Sequence, residues 1–142
     1  MIYGQHLDLS LSKEATAYDL TVMYAHKTAD LIEASILSGA IVAKADEPFR
    51  NKLHHLAQKL GLAYQLHNDL IDHSKLSGRT ESSDDKNEKR ILSQVLGKNQ
   101  VEEMLERLIC EVLLSAEEAG LKLAVLEEIC ALFSKAICGQ AL

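Results

Sequence analysis

Apolar residues return every three to five positions along most of this chain, and a single proline, Pro48, interrupts them. That spacing lays a stripe down one side of an α-helix, whereas a half-buried strand needs strict alternation. Proline is the residue a helix interior tolerates least, and only seven glycines add further breaks in 142 residues. Ala, Leu, Glu and Lys are plentiful and runs of β-branched residues are few, so local preference and periodicity agree. The expectation is an all-α helical bundle of about five helices, built as a single domain over residues 1–142. Hydrophobic residues at 47% suffice for a core, and charged residues at 25% are ordinary for a folded domain.

The opening fourteen residues carry no sustained helical stripe. A first long helix is predicted from Thr16, with Asp19 completing a capping box and Tyr18, Val22, Ala25, Ala29, Ile32, Ile36 and Ile41 forming its buried face. Asp46 can cap the next helix, and Pro48 suits its first turn. This second long helix is predicted to run to about His73, with Leu53, Leu56, Ala57, Leu60, Ala63, Tyr64 and Ile71 inward. Gly61 in its middle costs about 1 kcal/mol relative to alanine, which implies close packing by a neighbour. Residues 74–88 turn polar and read as the one long loop. A short helix to Gly97 follows. Asn99 with Glu102 then suggests a capped helix ending near Gly120, and a last helix spans Ala124 to Cys138.

The formal net charge of −6, with no basic block, argues against a nucleic-acid surface. No stretch approaches the roughly 20 apolar residues of a membrane span. Residues 1–8 lack the basic and apolar regions of a secretory signal. Cys110, Cys130 and Cys138 are odd in number and lack metal-ligand spacing, so they are expected to be reduced, mostly buried thiols of a cytoplasmic protein.

The chemically informative stretch is Gly61-Leu62-Ala63-Tyr64-Gln65-Leu66-His67-Asn68-Asp69-Leu70-Ile71-Asp72. On a helix Asn68 and Asp72 lie four apart and Asp69 and Asp72 three apart, so all share a face. Such oxygens can hold Mg²⁺, which takes few protein ligands and completes its shell with water and substrate phosphate. Lys27 sits within an apolar stripe, and Arg79, Lys86, Lys89 and Arg90 follow the acidic segment. Metal on one side and cations on the other suit a diphosphate. Plainer readings stand beside this one: an acid pair at a solvated helix end, and a snorkelling lysine. His54, His55, His67 and His73, with Asp69 and His73 four apart, admit a transition-metal site, although surface histidines are the default. The stripe from Val101 to Leu114 is too short for a coiled coil and is expected to pack in the core.

The order Gly4-Gln5 with Leu7-Asp8, then Lys27-Thr28-Ala29, Gly39-Ala40, and Gly61 to Asp72 resembles the polyprenyl (farnesyl/geranyl) diphosphate synthase family. The family has Gly-Gln before Asp-Leu, Lys-Thr-Gly/Ala, Gly-Ala, and Leu-Gly-x-Ala-Phe-Gln leading into a second aspartate-rich motif, Asp-Asp-x-x-Asp. Gly78-Arg79, Asp84 and Lys89 fall on its Gly-Lys, Gly-x-Asp and Gly-Lys-x-Thr elements, and the register holds over residues 4–97. The resemblance implies part of an isoprenoid-synthase fold, an all-α bundle around a deep cavity. It implies an activity in which Mg²⁺ assists ionisation of an allylic diphosphate and isopentenyl diphosphate attacks the carbocation. Carried over residue by residue, Lys27, Thr28, Gln65 and Lys89 bind the substrate diphosphate, while Asp69, Asp72 and Asn68 face the metal.

The sequence also departs from the family. It holds no counterpart of the first aspartate-rich motif or of the basic residues that hold isopentenyl diphosphate. Asn68 replaces the leading aspartate, His67 replaces a glutamine, and Glu88-Lys89-Arg90-Ile91 replaces Gly-Lys-x-Thr. An amide oxygen binds a hard cation more weakly than a carboxylate does, so Mg²⁺ affinity is expected to be weak or lost. The resulting expectation is a truncated or fragmentary short-chain prenyl diphosphate synthase of isoprenoid biosynthesis, inactive alone and with no catalytic residue of its own. The alternative is a non-catalytic helical interaction module. Either way half a fold exposes apolar surface, so the expected partner is a second copy or a complementary N-terminal half.

Overall fold

The computed structural model describes residues 1–12, 14–77, 91–122 and 124–137. Among them are seven α-helices and one π-helical turn, with no strand. In chain order these are α1 (Ile2–Ser10), α2 (Ala17–Tyr24), the π-turn (Ala25–Ala29), α3 (Asp30–Val42), α4 (Glu47–Ser77), α5 (Leu92–Leu96), α6 (Lys98–Glu118) and α7 (Ala124–Ile137). The all-α expectation holds, with more helices than the five predicted.

The capping box forms as predicted. The Asp19 N–H donates to Thr16 Oγ1 at 3.2 Å, and the Thr16 N–H donates back to the Asp19 carboxylate at 2.8 Å. The Thr16 hydroxyl also donates to Asp19 Oδ2 at 2.6 Å, and this bond first, the one from the Thr16 N–H second, favours the ionised form and holds the Asp19 carboxyl below its usual range. Asp46 likewise accepts from the Phe49 N–H at 2.9 Å and starts α4. Two expectations fail. The segment Ile2–Ser10 is helical despite its weak stripe, because tertiary packing of Gly4 supports it. Asn99 does not cap α6: the helix begins at Lys98, with Gly97 at φ +89° as its N-cap. Helix α4 also continues through residues 74–77, where the polar sequence predicts a loop; the remainder of that loop lies outside the described residues.

Helix α4 is the axis of the molecule. Its 31 residues span roughly 46 Å, and it touches α2, the π-turn, α3, α5, α6 and α7. Leu60, Ala63, Leu66 and Leu70 are buried and pack in one core with Leu20, Met23, Leu92, Val101, Leu105 and Val112. Val101, Leu105, Ile109, Val112 and Ala116 give α6 its buried face, so the Val101–Leu114 stripe is core. Lys52 Nζ donates to the Glu118 carbonyl at 3.0 Å and Lys59 pairs with Glu111 at 3.2 Å, which fixes α6 antiparallel to α4. Tyr18, Ile41 and Tyr64, predicted inward, are exposed instead, each lying at the edge of its stripe. Of the thiols, Cys130 is buried and Cys110 is exposed, contrary to expectation for that one; Cys138 lies outside the described residues.

Candidate functional site around the π-turn

The run from α2 to α3 reads as one long helix in the sequence, but at Ala25–Ala29 it widens by a residue into a π-turn. Such turns are rare and concentrate at functional positions. This one carries Lys27 and Thr28. Two glycines press on its backbone. A Cβ on Gly4 of α1 would stand 2.1 Å from the Lys27 nitrogen, and one on Gly61 of α4 would stand 2.4 Å from Ala29 Cα. Both contacts are with main-chain atoms, so only a residue without a side chain fits at either place. This is the close packing that Gly61 implied.

The side chains complete the arrangement. Lys27 Nζ donates to Asp8 Oδ2 of α1 at 3.1 Å, and Asp8 is largely buried. The cation in the apolar stripe thus has its counter-charge. Thr28 Oγ1 donates to Gln65 Oε1 at 2.8 Å, and one turn along α4 the Tyr24 hydroxyl donates to Asp69 Oδ2 at 2.7 Å. Further down, Glu33 meets His54 at 2.7 Å and also Gln58. The pairs 24–69, 28–65, 29–61 and 33–54 descend in step, so the π-turned helix and α4 lie antiparallel in one register.

Asp69 is 2% exposed. Besides Tyr24, it accepts from the Leu92 N–H at 2.6 Å, from the Ser93 N–H at 3.2 Å and from the Ser93 hydroxyl. His73 Nδ1 lies 3.2 Å from Ser93 Oγ. The serine's only hydroxyl proton goes to Asp69, so Nδ1 carries the proton on the histidine. Burial first, and the neighbouring Asp69 charge second, push the Tyr24 phenol far above its ordinary range and keep it a donor.

Of the sequence candidates, Thr28, Gln65 and Asp69 therefore lie where the π-turn meets α4, while Lys27, on the same turn, pairs with Asp8 of α1. Asn68 is half-buried on the same helix, Asp72 is exposed one turn beyond Asp69, and Lys89 lies outside the described residues. Among the described residues no three His, Cys, Asp or Glu side chains stand close enough to hold a metal by themselves. His54 turns to Glu33 and His67 Nδ1 approaches the Phe133 carbonyl at 3.3 Å, so these imidazoles serve helix contacts. Sequence reasoning passed over Tyr24 and Ser93. Tyr24 was within reach, since it stands four residues before Thr28 and therefore on the same face. Nothing in the local sequence marks the extra π residue. No described helix is long and apolar enough to cross a membrane.

A family model described as polyprenyl synthetase matches residues 1–93. A dimethylallyltranstransferase of Fischerella ambigua is 32% identical over 130 residues, covering 88% of this chain and 36% of its own. A farnesyl diphosphate synthase of Micrococcus luteus is 30% identical over 115 residues, covering 78% of this chain and 40% of its own. Among solved structures, a geranyltransferase of Helicobacter pylori complexed with magnesium and isoprenyl diphosphate superposes with a TM-score of 0.70 at 28% identity. That match takes in 99% of this chain and 47% of the other, so the chain spans less than half the length of these relatives. With Gly4 and Asp8 set against Lys27, Gln65 and Gly61 against Thr28 and Ala29, and the family model lying over them all, the chain belongs to the polyprenyl synthetase family.

Proposed function

We propose that this chain is the diphosphate-binding half of a short-chain trans-prenyl diphosphate synthase. The observation that supports the reading is the π-turn held between two glycines, with Lys27 and Thr28 fixed by Asp8 and Gln65. An ammonium and a hydroxyl on one rigid turn, with a carboxamide bonded to it from α4, suit the diphosphate of an allylic substrate, and Lys89 is a further candidate. The protein's part in the chemistry is to stabilise the negative charge that grows on a departing diphosphate. A fixed cation does so without reorganising during reaction. Lys27 reaches that role already oriented by a largely buried carboxylate.

Mg²⁺ fits this chain only in the mode where water and phosphate supply most ligands, because no protein cage is present among the described residues. Asp72, with Asn68 one turn earlier, would then be its protein donors, and the amide makes the affinity low. When bound, the ion would offset diphosphate charge. Turnover further requires the first aspartate-rich motif and an isopentenyl diphosphate site, which this sequence lacks. The chain alone is therefore expected to bind and not to turn over, and a complementary half is the partner that would restore activity. In a cytoplasmic setting that half could be contiguous or separate.

Calorimetric titration with an allylic diphosphate tests the reading. Binding that depends on Mg²⁺ and weakens at least about tenfold in Lys27→Ala supports it, tenfold being the effect of one lost charged hydrogen bond. The same chain releasing prenylated product, lost in Asp72→Ala, would refute the absence of turnover. Ile2, Leu9 and Val42, all at least 80% exposed, favour the second reading of a helical interaction module, and silence in the titration would select it.

A further inference from the structure

The Asp69 carboxylate is an acidic group of a metal-binding motif with no capacity left for a metal. A carboxylate offers about four lone-pair sites. Four donors of the chain fill them: the Tyr24 hydroxyl, the Leu92 and Ser93 N–H groups and the Ser93 hydroxyl. The group is 2% exposed, and among the described residues no buried side-chain nitrogen or oxygen lacks a hydrogen-bond partner. Engaging a cation would require breaking one of these bonds inside the core, where an orphaned donor is costly.

Its three contacting residues lie on two separate elements. Tyr24 is the residue immediately before the π-turn, while Leu92 and Ser93 are the first two residues of α5. Gln65, one turn before Asp69 on α4, holds Thr28 near the other end of the turn. The π-turn is thus anchored at both ends by α4, with Lys27 between the anchors. Leu92 N–H also approaches the Tyr24 hydroxyl at 3.2 Å, which closes the network on itself.

We propose that Asp69 is a positioning residue rather than a metal ligand: it locks the start of the π-turn and the start of α5 onto α4, and so sets where the Lys27 ammonium stands. This inference deepens the diphosphate reading and leaves Asp72 as the acidic residue of the segment that faces a cation.

The test uses the full chain, amide hydrogen exchange and inorganic pyrophosphate as the probe. Tyr24→Phe and Ser93→Ala are milder than Asp69→Asn and alter no candidate metal donor. Each of the three is expected to speed exchange at the Leu92 and Ser93 amides by at least about tenfold, as loss of a buried hydrogen bond would. Mg²⁺ alone at millimolar concentration is expected to leave those amides unchanged in the wild type, an arm that needs no variant to fold. In the binding arm, all three substitutions weaken pyrophosphate while the Mg²⁺ concentration at half-saturation stays within twofold, a pattern that general destabilisation does not produce. A shift of that concentration in Asp69→Asn but not in Tyr24→Phe or Ser93→Ala, or deprotection of Leu92 by Mg²⁺ alone, overturns the proposal. If wild-type chain ignores pyrophosphate, the diphosphate reading fails while the exchange arm still decides the lock.

Discussion

Tyr24 places a titratable hydroxyl against a buried carboxylate, and its chemistry therefore reaches the stability of the whole chain. Its folded pKa lies above the ordinary value of 10.0, so the unfolded chain loses this proton first as pH rises. The stabilising contribution is complete below pH 10 and is lost above it, at up to about 1.4 kcal/mol per pH unit. Urea unfolding at pH 9 and pH 11 should show a steeper loss for wild type than for Tyr24→Phe; equal slopes would contradict the assignment. The thiols make a second prediction at this scale. Cys110 is exposed, whereas burial, with a smaller push from Cys110, raises the Cys130 thiol. The thiolate is the reactive form, so iodoacetamide at neutral pH should label Cys110 well before Cys130, as peptide mass spectrometry would read. Among single residues, Lys27 was legible because a cation in an apolar stripe demands a partner, and Thr28 because it follows Lys27 in a motif that resembles the family's. That the partner is Asp8 was not, since it lies on a helix whose own pattern is too weak to announce it.

Among elements, the π-turn and the glycines that grip it carry the sharpest expectations. Gly61→Ala gains helix propensity, yet its new methyl meets Ala29 main chain at 2.4 Å. Overpacking of this kind costs about 1–3 kcal/mol, which outweighs the roughly 1 kcal/mol of propensity. Gly39→Ala is the control: it lies in α3 with nothing within 4 Å and should stabilise by up to about 1 kcal/mol. Thermal melts of the two variants should therefore move in opposite directions, and a shared sign would refute the packing argument. The strong elements were readable in advance because Thr16, Asp19, Asp46 and Pro48 fix helix starts through local hydrogen bonds and backbone limits. α1 was not readable, because what supports it is the contact of Gly4 with a distant turn. Asn99 misled for a related reason: Gly97, at positive φ, had already set the entry to α6.

For the whole molecule, the governing fact is that an isoprenoid-synthase-like architecture is present over less than half the length of its relatives. Ile2, Leu9, Val42 and Val125 stand exposed on its surface. Burying apolar surface of this kind yields about 25 cal/mol per Å², so association is expected. Light scattering at micromolar concentration should report a dimer or larger species, and a clean monomer would argue against it. The family was legible as an ordered set of short motifs separated by whole helices. The site was legible only in part, since the same letters, Asp69 and Asp72, fold to opposite fates, one sealed in the core and one facing solvent.

The five-residue widening at Ala25–Ala29 has a last consequence, for insertions and deletions. Each residue of a regular helix advances about 100° around the axis, so one additional residue rotates everything upstream by that angle relative to everything downstream. The widened coil absorbs that rotation: Tyr24 and Glu33, nine apart, would stand on opposite faces of a regular helix, yet both reach α4. Removing one residue from it would let it relax to an ordinary helix with both flanks still in phase, while shifting Lys27 and Thr28 from their places. A loss of one codon there should thus spare the fold and disturb the turn that carries those two side chains.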